Sequence, residues 1–470
     1  MAHMHISMRS SPLKGFIHPF LSYFFYLHKL VLRINGQKQT QIVTKPSYPT
    51  TTAFRRVDSE AQLDLDYHAR YWWRSSGYAL AVLLEKAGYS SHAQYDILKF
   101  VKAITPSLGA AYVPERQRWK SFMTDDHNPI ELSWDWRTGG KSPKIRFSIE
   151  PVGVHAGTHL DPNNQYAASR LLDSMLQLLP EANMEWLAHF RLRLSSEEVI
   201  GSVEGHQSKE FYAFDLGEDG VISKAYFFPG FMARATRQSN FDVISDTIQT
   251  APGSSPEKLQ ALKVFQEYVC DPSSPQLEMD MLAIDLVDPA ESRFKIYFRI
   301  RDTSFASVRA AMTLAGRVRM PDMERGLKDL RTIYHALLGK GTNQDGDDAQ
   351  LPAKDHRTAG ILYNVEFKYG SKSPKVKAYL PVRHYARSEE AVMSAVDAHL
   401  RGASPLSKVN MVSMVNYRSA MGTIFSREAL RARSGLHTYI GCSVEAGGEL
   451  RLVSYINPRQ LKFAHVPEEI

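Results

Sequence analysis

The stretch SRFKIYFR, residues 292–299, decides the fold of this chain. Read as a β-strand, its side chains point alternately to the two faces of a sheet. One face then carries the apolar residues Phe294, Ile296 and Phe298. The other face carries Arg293, Lys295, Tyr297 and Arg299. The apolar face predicts packing against other elements, whereas the basic and aromatic face needs a separate explanation.

The same pattern recurs in four other segments. Basic residues alternate with apolar or aromatic ones in KIRFSI (144–149), KAYFF (224–228), KVKAYL (375–380) and RLVSYI (451–456). The segments follow one another at intervals of roughly 70 to 80 residues, and a near-constant period indicates a structural repeat. Each has a strand-like partner across a turn, so five hairpins alternate with helical segments. The predicted strands are 129–136, 144–150, 211–216, 221–228, 281–286, 293–300, 361–367, 375–380, 437–444 and 449–456. The predicted helical segments are 71–87, 92–104, 165–179, 184–194, 304–315, 324–338, 388–400 and about 408–431, and a further helix is expected to begin near Ser255.

Ten antiparallel strands with helices between them predict an α+β fold. So wide a sheet usually curls or closes, and closure into a barrel removes its edges. The apolar faces would then point outward to a ring of helices, and the polar faces would surround a solvent-filled lumen. We predict that one barrel domain spans 59–470, after an N-terminal extension and linker over 1–58.

The composition is that of an ordinary soluble protein, with 43% hydrophobic and 23% charged residues among 470. A net charge of +7 is too modest to single out nucleic acid, so no such partner is expected. Two cysteines cannot form a disulfide framework, which favours a cytoplasmic location. We expect a monomer or a homodimer.

An apolar run at 16–27 lies within the extension. It is too short for a transmembrane helix, so no membrane span is predicted. It has the length of a signal-peptide core, but no small-residue cleavage site follows it. A segment that packs on the domain is favoured over an anchor on a membrane surface.

The inward face of the predicted barrel is strongly basic. Its cations are Arg146, Lys224, Arg293, Lys295 and Lys377. Few inward acids face them, namely Glu131, Asp135 and Glu150, and grouped cations in a low-dielectric cavity are costly without an anion. A diphosphate fits best, because Arg binds it through two hydrogen bonds and Lys supplies a point charge. Neither a D-D-x-x-D cluster nor a glycine-rich phosphate loop is present, so no metal is expected.

Four tyrosines lie two or four residues from these cations and therefore on the same face: Tyr226, Tyr297, Tyr379 and Tyr455. Aromatic ring faces attract carbocations, and an aromatic wall excludes the water that would quench them. Cations on one side and π faces on the other suit an allylic diphosphate that ionises. The pattern predicts a prenyl donor site.

Several of these segments also carry a resemblance. PIELSW (129–134), KIRF (144–147), KAYFFP (224–229), residues 285–297 and KAYLPVRHY (377–385) resemble the fungal indole prenyltransferases, the dimethylallyl-tryptophan synthase family. The resemblance covers about residues 67–460 in the right order. It implies the ABBA-type prenyltransferase barrel and a metal-independent enzyme without a cofactor. Such an enzyme transfers a dimethylallyl group from dimethylallyl diphosphate to an indole-containing acceptor by Friedel–Crafts alkylation.

Carried over by position, the resemblance assigns diphosphate binding to the five cations, and assigns the cation shield and further phosphate contacts to the four tyrosines. Glu131 would accept the indole N–H; its alternative role is a salt bridge that balances the basic interior. Arg451 stands where many relatives carry a tyrosine of the shield, which bears on donor length or acceptor placement. The family's proposed lysine base falls near Phe211, with Lys209 the nearest lysine, so the group that removes the ring proton is left unnamed.

The acceptor stays open between tryptophan, a tryptophan-containing cyclic dipeptide and a larger indole alkaloid. One alternative is the same fold acting on a phenolic acceptor such as tyrosine or a xanthone; Glu131 favours an N–H donor over it. An alternative from another class is a nucleic-acid-binding barrel, which expects an exposed basic face and binding that weakens steeply with salt.

Overall fold

The computed structural model describes residues 50–113, 117–196, 199, 201–339, 346–402 and 407–459. Within these residues, ten β-strands form a closed antiparallel barrel, in which each strand pairs with its neighbours in sequence and β1 also pairs with β10. The strands are β1 Ile130–Asp135, β2 Lys144–Ile149, β3 Glu210–Leu216, β4 Val221–Phe227, β5 Glu278–Asp285, β6 Phe294–Ile300, β7 Ile361–Phe367, β8 Lys375–Leu380, β9 His437–Val444 and β10 Leu450–Ile456. The predicted ten-stranded α+β barrel is therefore confirmed.

Strand β6 shows how the alternation builds the barrel. Lys295 pairs with Ala283 of β5 on one side and with Glu366 of β7 on the other. Phe294 and Phe298 on the opposite face are fully buried under helices, as predicted.

Helices surround the barrel on the outside. They are α1 Thr52–Asp64, α2 Tyr67–Trp72, α3 Tyr78–Ala87, α4 Ser91–Ile104, α5 Ala167–Leu178, α6 Glu185–Leu194, α7 Gly230–Thr236, α8 Asn240–Gln249, α9 Gln260–Val269, α10 Phe305–Met312, α11 Met323–Leu338, α12 Val382–Tyr385, α13 Glu389–Gly402, α14 Ser407–Ile424 and α15 Arg427–Arg431. Aromatic pairs join the two layers: Phe294 stacks on Trp186 of α6 at 4.7 Å between ring centroids, and Trp134 meets Tyr417 of α14 at 5.2 Å. These contacts bury the outward faces of the strands and leave the inward faces to the lumen.

The helices depart from the prediction more than the strands do. A π-helical turn, Trp73–Gly77, interrupts the helix predicted over 71–87. The helix predicted over 408–431 is two helices, because Ser426 caps the second one by accepting a hydrogen bond from the backbone N–H of Ala429.

The boundary predicted between 58 and 59 is wrong, because it falls inside α1. Phe54 and Val57 of this helix are fully buried, and Phe54 stacks on Trp73 at 4.9 Å. Residues 52–58 therefore pack with the barrel domain and are not a linker. The rest of the predicted extension, residues 1–49 with the apolar run at 16–27, lies outside the described residues.

Across the described residues, we find no helix with both the length and the apolar character needed to cross a membrane.

Candidate active site

The lumen holds two cavities that share one wall. The first, here the basic cavity, has a volume of about 230 Å³ and contains Arg146, Lys224, Lys295 and Lys377. The second, here the glutamate cavity, has a volume of about 110 Å³ and contains Glu131. The four predicted tyrosines line both cavities: Tyr226, Tyr297, Tyr379 and Tyr455. All ten residues predicted for the site, and Arg451 as well, thus lie in one lumen.

The cations of the basic cavity are ion-paired far more than the sequence indicated. Arg146 binds Asp135 at 2.5 Å and Asp215 at 3.0 Å, and Lys224 also pairs with Asp215. Burial would raise the pKa of Asp215, but the charges of Arg146 and Lys224 lower it well below its usual range. Asp215 is therefore ionised and holds both cations in place.

A second carboxylate does the same on the neighbouring strands. Asp285 accepts from Arg293 at 2.5 Å and from Lys295 at 2.7 Å. Arg293 reaches Glu366 as well, at 3.3 Å. The prediction that few inward acids face these cations is therefore wrong. Three of these acids, Asp215, Asp285 and Glu366, lie on the inward face of β3, β5 and β7. The period-two spacing of these strands could therefore have predicted them.

An excess of positive charge nevertheless remains. The cations in or beside the cavity are Arg146, Lys224, Arg293, Lys295, Lys375, Lys377 and Arg451. The carboxylates paired with them are Asp135, Asp215, Asp285, Glu366 and Glu445. The ion pairs preorganise the cations, and the excess of two charges favours an anion in the cavity.

Lys377 has no carboxylate within ion-pair distance among the described residues. Its ammonium donates to the hydroxyl of Tyr455 at 2.9 Å and lies 4.5 Å from the ring centre of Tyr379. Burial, together with the charges of Arg146 and Arg451, lowers its pKa to about 7. Lys377 is therefore the cation with most to gain from a bound anion.

Gly441 makes room for this lysine. A Cβ at position 441 would lie 2.6 Å from Cε and 2.9 Å from Nζ of Lys377, closer than atoms can pack. A side chain at position 441 would therefore displace the end of the Lys377 side chain from its present place.

Arg451 forms part of the same wall. Its Nε donates to Asp135 at 2.9 Å, and a second nitrogen of the guanidinium bonds the other carboxylate oxygen. Burial would raise the pKa of Asp135, but Arg146 and Arg451 lower it to about 2. Arg451 thus adds a cation to the basic cavity where a tyrosine would add a ring.

The four tyrosines form a layer across the lumen between the two cavities. The ring centroids of Tyr226 and Tyr297 are 5.9 Å apart, those of Tyr297 and Tyr379 also 5.9 Å, and those of Tyr379 and Tyr455 5.6 Å. Burial raises the pKa of Tyr379 well above its ordinary value, so its hydroxyl stays protonated. The layer offers ring faces to a carbocation and hydroxyl groups to phosphate oxygens.

Glu131 lies beyond this layer, in the wall of the glutamate cavity. It accepts a hydrogen bond of 2.5 Å from the hydroxyl of Thr438, so its alternative role as partner of a salt bridge is not what the structure records. Burial raises its pKa to about 7, against the opposing effects of Thr438 and the charge of Arg383. A buried carboxylate with spare acceptor capacity suits the N–H or O–H of an aromatic ring.

Comparison with known proteins agrees with this geometry. The model of the tryptophan dimethylallyltransferase family matches residues 68–404. The chain belongs to this family. The 4-O-dimethylallyl-L-tyrosine synthase of Claviceps purpurea is 33% identical over 419 residues, which cover 87% of this chain and 92% of that protein. The 7-dimethylallyltryptophan synthase of Aspergillus fumigatus is 32% identical over 410 residues, covering 83% and 85%.

The crystal structure of AnaPT from Neosartorya fischeri has the same fold, with a TM-score of 0.73 at 22% identity over 87% of this chain and 98% of that one. The predicted ABBA-type barrel is thus confirmed, and the chain is an aromatic prenyltransferase. The nucleic-acid alternative expects an exposed basic face, whereas Lys224 is only 6% and Lys295 only 5% exposed inside the lumen.

The position near which the family's lysine base was expected holds Phe211, whose ring stacks on Tyr226 at 4.1 Å and lines the glutamate cavity. Lys209 lies over the ring of Phe231, 5.8 Å from its centroid, and lines neither lumen cavity. No lysine therefore replaces the expected base within the described part of the glutamate cavity.

Glu150 was also placed wrongly in the lumen. It is buried just after β2, where it accepts hydrogen bonds from Trp119 at 2.8 Å and from Ser121 and Ser208 at 2.5 Å each. Its role is to hold the segment before β1 against the barrel.

Charged groups at the far end of the glutamate cavity were not predicted from the sequence. Asp125, which is exposed, pairs with Arg383 at 3.1 Å. It also lies near His356 and His384, and these three are the one group of potential metal ligands in the described residues. Arg383 and Thr358 contact this group, and both line the glutamate cavity and not the basic cavity.

Proposed function

We propose that this enzyme transfers a dimethylallyl group from dimethylallyl diphosphate to an indole-containing acceptor. The diphosphate occupies the basic cavity, and the indole ring occupies the glutamate cavity. The observation that carries the proposal is the layer of four tyrosines shared by both cavities, because a carbocation formed there meets ring faces on its way from donor to acceptor.

The first step breaks the bond between the allylic carbon and the diphosphate oxygen. The electron pair leaves with the diphosphate. Its growing charge is stabilised by Arg146 and Lys295, in positions already set by their carboxylates, and by Lys377. The tyrosine rings stabilise the dimethylallyl cation and exclude water.

In the second step, a carbon of the indole ring attacks the cation and a C–C bond forms. Glu131 accepts the indole N–H and increases the electron density of the ring as positive charge develops there. Loss of the proton from the attacked carbon restores aromaticity and gives the prenylated product together with diphosphate.

We further propose that the reaction needs neither metal nor cofactor. The excess positive charge of the basic cavity supplies the stabilisation that a divalent cation would give to a leaving diphosphate. Cys270 and Cys442 are both free thiols, which fits a cytoplasmic enzyme. A monomer or a homodimer is the expected assembly.

A second candidate is prenylation of a phenolic acceptor. It is favoured by the identity to the tyrosine-modifying synthase of Claviceps purpurea. A Glu131 carboxylate with a pKa near 7 could accept the proton of a phenol, whose oxygen would then attack the cation to form an ether.

The test is incubation of the enzyme with dimethylallyl diphosphate and EDTA against a panel that includes L-tryptophan, tryptophan-containing cyclic dipeptides and L-tyrosine. Mass spectrometry and NMR of the products give the mass gain and the atom modified. C-prenylation of an indole supports the proposal, and an O-prenylated phenol with unmodified indoles supports the second candidate. No product from any aromatic acceptor would overturn both.

A further inference from the structure

A β-bulge on β5 turns a carboxylate into the acceptor end of the lumen. The register of β5 against β6 shifts between Met279 and Met281, so Asp280 is the extra residue. Strict alternation would point Asp280 outward, because Met281 faces the lumen. Instead, Asp280 lines the glutamate cavity beside Met281, and Met279 packs in the main hydrophobic core. Bulges re-aim side chains in this way and are common next to active sites.

Asp280 lies beyond the tyrosine layer, on the side away from the basic cavity. The inward positions of β6 run from Lys295 in the basic cavity through Tyr297 in the layer to Arg299. Asp280 lies 3.6 Å from Arg299. Strands β1 and β5 are four positions apart in the ring of ten, so Asp280 also lies nearly opposite Glu131. An indole whose N–H meets Glu131 therefore lies between the tyrosine layer and Asp280.

The Asp280 carboxylate is held by one oxygen, which leaves the other for a ligand. Arg357 donates to the first oxygen at 3.0 Å. The second oxygen lies 3.6 Å from a nitrogen of Arg299, which is too long for a hydrogen bond. The side chain is only 11% exposed, so its position is set by the protein around it.

The glutamate cavity offers few groups that could take a proton from the ring. Within its described part, the lining carboxylates are Glu131 and Asp280. The other ionisable residues there are arginines and tyrosines. A guanidinium has no acceptor, and a neutral phenol is a far weaker base than a carboxylate. Because the indole N–H occupies Glu131, Asp280 is left for the ring carbon.

We propose that Asp280 is the general base that removes the proton from the attacked carbon of the indole. This inference rests on the proposed function and names the group that the sequence left open. The dimethylallyl cation comes from the tyrosine layer and adds to the ring face that meets it. The hydrogen on the attacked carbon then projects from the opposite face, towards Asp280. The C–H bond breaks, its electron pair restores the aromatic ring, and the proton passes to the second oxygen of Asp280.

A further cavity gives this proton a way out. Asp280 also lines a cavity of about 570 Å³ between β5 and helices α8 and α9, where Phe241 and Val269 form part of the wall. Its volume is sufficient for several water molecules. Transfer of the proton to water on this side restores the carboxylate for the next turnover.

Asp280→Asn tests the base, because it keeps an acceptor for Arg357 and loses the basic oxygen. With an indole acceptor, kcat should fall on the order of a hundredfold, while the Kd of dimethylallyl thiolodiphosphate stays the same. Competition between unlabelled and ring-deuterated acceptor separates catalysis from structure. In the parent, C–C bond formation commits the ring, so both should be used equally. In Asp280→Asn, proton loss limits the reaction, so the unlabelled acceptor should be used preferentially.

Asp280→Glu moves the carboxylate by one methylene group and should give an intermediate rate with a smaller isotope preference. It tests the role even if Asp280→Asn does not fold. The control is Glu278→Gln on the same strand, because Glu278 pairs with Arg301 and does not line the glutamate cavity. Its rate and its equal use of the two acceptors should match the parent.

A slower Asp280→Asn without isotope preference would assign Asp280 a structural role and overturn the inference, and an unchanged rate would overturn it as well. Both results leave the proposed function intact, because the parent still prenylates an indole carbon. A parent enzyme that prenylates no indole carbon would instead contradict the proposed function itself.

Discussion

At the scale of single residues, Glu131 is deeply buried and has a proposed catalytic role. Its burial should lower the stability of the protein, whereas its proposed role should raise the activity. Its folded-state pKa of about 7 lies above the ordinary glutamate value. The folded state therefore binds a proton that the unfolded state has lost, and stability falls as pH rises from about 4.3 to about 7.

We expect Glu131→Gln to lower kcat on the order of a hundredfold or more, because the acceptor N–H loses its partner, while donor binding survives. The same variant should have a higher Tm than the parent at pH 8, since an ionised buried group is gone. Activity assays, donor titration and thermal unfolding measure the three quantities. A lower Tm with unchanged activity would make Glu131 structural.

Lys377 leads to a second prediction at this scale, a pH-dependent donor affinity. Only its protonated form attracts a diphosphate, and its pKa in the free enzyme is about 7. The Kd of dimethylallyl thiolodiphosphate should rise by up to about tenfold per pH unit above pH 7. Lys377→Arg should flatten this dependence, because Arg stays charged. Identical pH profiles for the two proteins would rule out Lys377 as the titrating group.

At the scale of elements, the proposed donor contact of β6 can be tested. Lys295→Met should weaken binding of dimethylallyl thiolodiphosphate by about tenfold or more, because a charge-assisted contact is lost, while Asp285 keeps Arg293 as its partner. Lys368→Met is the control, since Lys368 pairs with Glu291 at the surface, outside the lumen. Calorimetric titration gives both affinities, and equal affinities would place β6 outside the donor site.

Helix α1 can be tested as part of the domain. Phe54→Ala should lower the free energy of unfolding by about 3–5 kcal/mol, because a fully buried ring that stacks on Trp73 is lost. Ser59→Ala on the exposed side of the same helix should change it by about 0.5 kcal/mol or less. Denaturant unfolding measures both. If Phe54→Ala and Ser59→Ala both changed the free energy of unfolding by a similar, small amount, residues 52–58 would be a linker and not part of the domain.

Strands could be predicted from the sequence far better than helices, for a physical reason. Period-two alternation recurs in five hairpins, and each repeat supports the others. Helices α7 and α8 were not predicted, because they are only seven and ten residues long and no repeated pattern marks them. The π-helical turn at Trp73–Gly77 depends on tertiary packing that local sequence does not encode.

At the scale of the whole molecule, the cations and tyrosines of the basic cavity could be predicted from the sequence, whereas most residues of the glutamate cavity could not. These cations and tyrosines lie on or next to regular strands, where alternation gives the inward face. The acceptor end brings together Asp125 and Arg357 from irregular segments and Arg383 from the short helix α12, which are distant in sequence and follow no common period. Their proximity arises only when the barrel closes.

The most direct measurement is a crystal structure of the enzyme with dimethylallyl thiolodiphosphate and L-tryptophan. The account predicts diphosphate oxygens within hydrogen-bond distance of Arg146, Lys295 and Lys377, with the dimethylallyl group against the tyrosine layer. The indole nitrogen should lie within hydrogen-bond distance of Glu131. A diphosphate bound outside the basic cavity, or an indole on the same side of the tyrosines as the diphosphate, would contradict it.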